Sequence, residues 1–373
     1  MKFLRLAFYV LIAQLVLSGC AGEAVEETSS SSSSEITFDA YVGRNASTRS
    51  SVTDITSLQG TDFNSGFGVF AIYRHTDKTI PPLMLMNNEH VTWQGNQWGY
   101  KNTRFWPSEG SVDFYAFAPH STIPKLYSPD KIEINFPSNQ NPVDLVYANA
   151  ENQKKANNPV KFTFNHALAR LGLDIKTKQD LEENGAVITV EEVDLYGSDD
   201  YKGVFDMVGD LNLKTGDWHV VQNEKTRWYY AWTPTGKVDK EDGKKDGKED
   251  GNKDGEGKGP ELKLSASQLD HTTHIITNDP NSYIFIIPQT KSEKFHLKIT
   301  YTVKQGDFKE TVTVKKNLLE VLDQSGASKP SFTFERGKAY VFHLILSLDP
   351  TIDFKVETTV NEWGKGDNET MFL

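Results

Sequence analysis

Cys20 is the only cysteine in this 373-residue chain, and its setting gives it a chemistry. It closes the stretch Leu17-Ser18-Gly19-Cys20, after Lys2, Arg5 and a mainly apolar run from Leu6 to Leu17. A positive start, a short apolar core and small residues ahead of a cysteine make a secretory signal that ends in a lipobox. The thiol is then the group that signal peptidase II-type processing would acylate. On this reading residues 1–19 are a signal peptide, the mature chain starts at Cys20, and acyl chains hold it on a membrane outside the cytoplasm. The apolar run is short for a transmembrane helix. The plain alternative is a cysteine that follows a signal peptide by chance.

Other residue types could do chemistry but lack the right setting. Trp228, Tyr230 and Trp232 share one face of a strand, beside Arg227. Exposed, that face could stack on sugars; the favoured reading is a core strand, because aromatics fill sandwich interiors well. Trp93, Trp98 and Trp106 read the same way. His271 and His274 lie near Asp270, yet the segment is not helical and offers no third ligand, so it reads as a polar turn. Asp242, Asp246, Asp250 and Asp254 recur every fourth residue with lysines between them, which does not match a calcium loop. Gly255, Gly257 and Gly259 have no strand–turn–helix context for a phosphate loop. His166 sits in an apolar stretch and reads as a hydrogen-bonded core residue. There is no Gly-x-Ser-x-Gly elbow and no free thiol, so no catalytic residue, metal site or cofactor is assigned and no enzyme is expected.

The elements around these residues follow from composition and period. Without its leader the chain has about 350 residues, enough for two domains that each bury a core. The net charge of −11 falls to −13 as Lys2 and Arg5 leave, which argues against nucleic acid as a partner. Residues 20–34 hold the Ser run and form a flexible tether. Residues 35–158 are assigned to an N-terminal domain and 159–373 to a C-terminal domain. Within the latter, residues 237–259 are Gly-punctuated and nearly charge-balanced, and read as a disordered insert.

Period-two alternation dominates from Glu35 onward. Phe67, Val69, Ala71 and Tyr73 share a face. Phe295 to Val303 and Tyr340 to Leu348 alternate cleanly, and Phe354, Val356, Thr358 and Val360 form one further face. Only Leu318–Leu322 suggests a helical turn. Between Phe162 and Ile175 the apolar parity switches, which predicts a bulge or crossing near Ala167–Leu171. The fold class is all-β: two tandem antiparallel β-sandwich domains.

Five segments in order resemble the fimbrillin family of Bacteroidetes: FGVFAIY (67–73), RFWP with VDFYAFAP (104–107, 112–119), FTFNHALARLGLDI (162–175), YIFIIPQ (283–289) and KAYVFHLILSL with VNEW (338–348, 360–363). The resemblance implies transthyretin-like sandwiches and export as a lipoprotein precursor. Glu23, Glu26 and Glu27 are similar to surface-export signals of such lipoproteins, or belong to a plain linker. It further implies cleavage after an arginine, Arg49 or as second choice Arg44, that releases the strand Glu35–Val42, with Ile36, Phe38 and Tyr41 as its apolar content. Arg49 as an ordinary loop residue is the alternative. A neighbouring subunit's strand would fill the vacated edge by β-strand addition. Implied partners are other fimbrial subunits, the outer membrane through the lipid anchor, and a host or bacterial surface receptor. The short tail after Trp363 leaves two options: Phe354–Val360 swings out as donor, or the protein accepts a strand without giving one. The rival reading is a monomeric surface glycan- or ligand-binding lipoprotein.

Overall fold

Alternating side chains suit strands because a period of two places every second residue on one face of a sheet. The computed structural model describes residues 34–42, 55–61, 65–122, 124, 126–129, 131–137, 143–177, 185–198, 202–234, 257–258, 262–269, 275–276, 283–322, 330–346, 355–362 and 371–372. The signal, Cys20 and the tether up to residue 33 lie outside them.

The strands of the first half are β1 (Phe38–Val42), β2 (Phe67–Arg74), β3 (Leu83–Trp93), β4 (Trp98–Tyr100), β5 (Ser111–Ala118), β6 (Leu126–Ser128), β7 (Lys131–Pro137), β8 (Val146–Gln153) and β9 (Val160–His166). A helical turn, α1 (Ile55–Leu58), precedes β2. Seven strands form one sheet in the order β1-β9-β8-β5-β2-β3-β4. Its two edges come together. The Ile36 amide donates to the Arg104 carbonyl at 2.8 Å, the Tyr100 hydroxyl donates to the Ile36 carbonyl at 2.7 Å, and Glu35 bridges Phe105. The sheet thus wraps a core of Phe38, Phe67, Phe114, Phe162 and Phe164.

The second half holds β10 (Ala169–Thr177), β11 (Ala186–Tyr196), β12 (Val208–Asn212), β13 (Trp218–Val220), β14 (Trp228–Pro234), β15 (Gly257–Lys258), β16 (Leu262–Leu264), β17 (Gln268–Leu269) and β18 (Ile275–Ile276). It continues with β19 (Ile284–Ile286), β20 (Gln289–Lys291), β21 (His296–Gln305), β22 (Phe308–Asn317), helix α2 (Leu318–Leu322), β23 (Phe332–Phe334), β24 (Lys338–Leu346), β25 (Lys355–Glu362) and β26 (Met371–Phe372). One sheet runs β18-β10-β24-β25-β26, with β19 also on β10. Another runs β15-β14-β11-β21-β22, with β16 on β14 and β17 on β11. Leu171, Leu173 and Leu344 from the first meet Val193, Trp232 and Ile299 from the second in one core. The class is all-β with layered apolar cores, as the alternation predicts. Against the antiparallel expectation, β1 runs parallel to β9, β10 to β24, and β14 to both β15 and β16.

The parity switch turns out to be a crossing. Val160, Phe162, Phe164 and His166 face inward in the first sheet. The chain then leaves it and enters another sheet at Ala169, where Leu171, Leu173 and Ile175 are buried. A division between residues 158 and 159 would strip β9 from both its neighbours, β1 and β8. Pairing changes sheet at Ala167–Leu168 instead. The halves are also laced together: β7 pairs with β12 from Glu133↔Asn212 to Pro137↔Val208, inside a four-stranded sheet ordered β13-β12-β7-β6. That sheet covers the outer face of the first through Ile134, Leu211 and Leu213, which pack with Phe70, Phe117 and Tyr147. Of the insert at 237–259, Gly257–Lys258 are described, and they form β15 on Trp228–Tyr229 rather than disordered chain.

Candidate functional site

The site built from the resemblance is β1 and the slot that holds it. Ile36, Phe38 and Val42 are buried, Ala40 packs against the same core, and Tyr41 is 48 % exposed. The inward set is therefore Ile36, Phe38, Ala40 and Val42, in strict alternation. This corrects the expectation that Tyr41 supplies apolar content: it falls on the odd positions with Thr37 and Asp39, the outward face.

Phe38 sits amid the interior rings. It stacks on Phe162 of the adjacent strand at 5.7 Å between centroids and 16° between planes. It meets Phe67 and Phe114 edge-on at 6.3 and 5.8 Å, and Tyr100 at 5.5 Å. One side chain thus touches β9, β2, β5 and β4 across the curled sheet.

Backbone pairing fixes the register, from Phe38↔Val160 to Val42↔Phe164. Ahead of β1 the fixing is by a side chain. Asn158 Oδ1 accepts from the Thr37 amide at 2.9 Å and the Thr37 hydroxyl at 3.1 Å, while its Nδ2 donates to the Glu35 carbonyl at 3.0 Å. Burial raises the Tyr100 pKa above its ordinary value, which keeps the hydroxyl protonated as a donor to Ile36. Burying an Ile, a Phe and a Val side chain is worth roughly 5–9 kcal/mol. That is comparable with the whole stability of a typical domain, about 5–15 kcal/mol. Filling this slot is therefore a large favourable contribution to the fold around it.

Beyond Val42 the chain runs through residues 43–54 to α1, whose Leu58 is buried in the same core. Arg44 and Arg49 lie in that stretch, outside the described residues. Cys20, His271, His274 and the Asp repeat are likewise outside the described residues, elsewhere in the chain.

Trp228, Tyr230 and Trp232 do lie together on β14, but Tyr230 and Trp232 are buried, with Trp232 at 0 % exposure. Tyr230 donates to Met207 Sδ at 3.4 Å, and burial raises its pKa. Trp228 packs half-buried against the same core. A sugar-stacking face from these three is ruled out by the sheet that covers them. His166 is a buried hydrogen-bonded residue, its Nδ1 2.9 Å from Asp144 Oδ1. Asn158 was missed by sequence reasoning, since its role depends on a partner 121 residues away.

Comparison with known proteins bears on this arrangement. The model of the fimbrillin-like family matches residues 48–363. A fimbrium subunit, Fim1C, of Phocaeicola vulgatus is 28 % identical over 199 residues, covering 46 % of this chain and 51 % of that protein. The match thus spans about half the length of that relative. The crystal structure of a fimbrial protein from Bacteroides vulgatus superposes with a TM-score of 0.57 at 17 % identity, over 88 % of this chain and 99 % of that one. A cell adhesion protein structure from Bacteroides uniformis gives 0.46 at 15 %, over 88 % and 98 %.

Proposed function

The chain belongs to the fimbrillin-like family, and from that premise we propose that it is a structural, adhesive subunit of a surface fimbrium, assembled by exchange of its first strand. It is exported as a lipoprotein acylated at Cys20 and held at the outer membrane. Cleavage after Arg49, or Arg44, then detaches Glu35–Val42, and a strand from another subunit takes the slot.

The observation that carries this reading is the place of β1. It is an edge strand, joined through residues 43–54 to the elements that follow, yet it supplies Ile36, Phe38 and Val42 to the core. Its removal exposes an apolar trough and unpaired groups on β9 together, and a strand with the same alternation satisfies both. While β1 stays in place, the edge is occupied and premature assembly is blocked. The rival reading, a monomeric glycan- or ligand-binding lipoprotein, rests on the aromatic face of β14 and on the long acyl tether, and the burial of Tyr230 and Trp232 withdraws the first of these.

The test is limited digestion of the purified mature protein with an arginine-specific protease. The expected product begins at Ser50 and converts from monomer to oligomers, and an excess of synthetic Glu35–Val42 peptide slows the conversion. A product that starts at Ser50 and remains monomeric at high concentration overturns strand exchange. Mass spectrometry of the membrane-derived form reads the acylation of Cys20.

A further inference from the structure

Among the described residues the longest strand at a sheet edge is β22. It pairs with β21 from Gln305↔Phe308 to His296↔Asn317 without a register shift, and no described strand lies on its other side. Its sequence, FKETVTVKKN, has no proline, so neither a bulge nor a proline blunts this edge. An unpaired edge of this kind is a template for another strand.

The ladder fixes which groups that edge offers. The Leu318 amide donates to the Phe295 carbonyl at 2.9 Å, one step beyond the His296↔Asn317 pair. Hydrogen-bonded and non-bonded pairs alternate in an antiparallel ladder, so the even-numbered residues of β22 bond to β21. The odd ones, Lys309, Thr311, Thr313, Lys315 and Asn317, turn their N–H and C=O groups outward. The side chains alternate as well: Val312 and Val314 lie half-buried against the core, with Glu310 and Lys316 on the same face to either side of them.

We infer that β22 docks on the β22 of a second copy of this chain, antiparallel, about a two-fold axis at Thr313. Each outward residue then meets another: Thr313 meets Thr313, Thr311 meets Lys315, and Lys309 meets Asn317. On the core-side face Glu310 falls opposite Lys316 and Val312 opposite Val314, and the two-fold repeats each contact. Phe308, 55 % exposed on that face, comes opposite the start of α2 of the second copy. Charge selects this register. A shift of one pairing step one way sets Lys309 against Lys315. A shift the other way leaves Glu310 opposite Leu318 and Lys316 opposite Val312, so both ion pairs are lost. The lysines that ordinarily guard an edge here restrict it to one partner and one alignment. The pairing does not depend on how the first strand is processed.

Sedimentation velocity tests this on the uncleaved mature chain carrying Cys20→Ser, which has no acyl chain and keeps β1 in its slot, so strand exchange does not contribute. A monomer at about 1 μM is expected to approach a dimer toward about 1 mM, and association stops at two copies. Glu310→Lys weakens the dimer about tenfold or more, and Lys316→Glu added to it restores the dimer. Thr313→Pro abolishes it: the Thr313 amide is outside the β21 ladder, so proline there spares the bonds within the chain and removes only an exposed hydroxyl contact with Thr300. A chain that stays monomeric throughout overturns the proposal, as does growth beyond two copies or a dimer unaltered by a folded Thr313→Pro. If that variant does not fold, failure of the charge exchange to restore what Glu310→Lys removed overturns it.

Discussion

Asn158 Oδ1 accepts two hydrogen bonds from Thr37, one from its amide at 2.9 Å and one from its hydroxyl at 3.1 Å. With the bond from Asn158 Nδ2 to the Glu35 carbonyl, a single carboxamide serves the chain just where it enters β1. Asn158→Ala leaves those groups without partners, at a cost of about 1–3 kcal/mol. Hydrogen exchange should show faster opening of the Ile36–Val42 amides in this variant, with β5 and β8 little changed. Equal acceleration across the whole first sheet would mean the clamp has no local role.

Phe38→Ala removes the ring shared by β9, β2, β5 and β4. A cost of about 3–5 kcal/mol is expected, read as a lower urea midpoint. Tyr41→Ala, three residues on but facing outward, should stay within about 0.5 kcal/mol. Equal effects at the two positions would contradict the inward and outward assignments.

His90 and His120 stack with ring centroids 3.7 Å apart and planes 8° from parallel. Burial, with repulsion from His90, lowers the His120 pKa from 6.5 to about 4. The unfolded chain therefore takes up this proton first. The associated stability is complete above about pH 6.5 and is lost as pH falls toward 4, by roughly 3 kcal/mol in all. His120→Phe keeps a ring in the stack and removes the titration. Its urea midpoint should fall less between pH 7 and 4 than that of the parent protein, and parallel pH profiles would refute the assignment.

Trp232→Ala on β14 is expected to cost about 3–5 kcal/mol through a core cavity. Thermal melting measures it. Full retention of the melting temperature would return Trp232 to the surface and revive a stacking role.

Local alternation made many strands legible from residue types, and the change of face between Phe164 and Leu171 announced a bulge or a crossing without deciding between them or saying which sheet came next. The direction of β1 was not legible, because parallel and antiparallel neighbours present the same inward side chains. Nor was the β7–β12 ladder: Ile134 and Leu211 alternate like any half-buried strand, and nothing local to either names the other. Tyr41 is bulkier than Val42 and draws an apolar reading, although the register from Ile36 places Val42 inward and Tyr41 outward. The Trp228–Trp232 face was legible as apolar, while its covering came only from distant strands.

The β7–β12 ladder has a mechanical consequence. No single break in the backbone between Pro137 and Val208 yields two fragments with complete sheets, because each would carry a strand whose mate went with the other. The two cores are thus buckled together by a seam between strands distant in sequence. Force drawn along the chain from one core to the other would be shared by that seam, the apolar contacts beside it and the covalent passage at Ala167–Leu168.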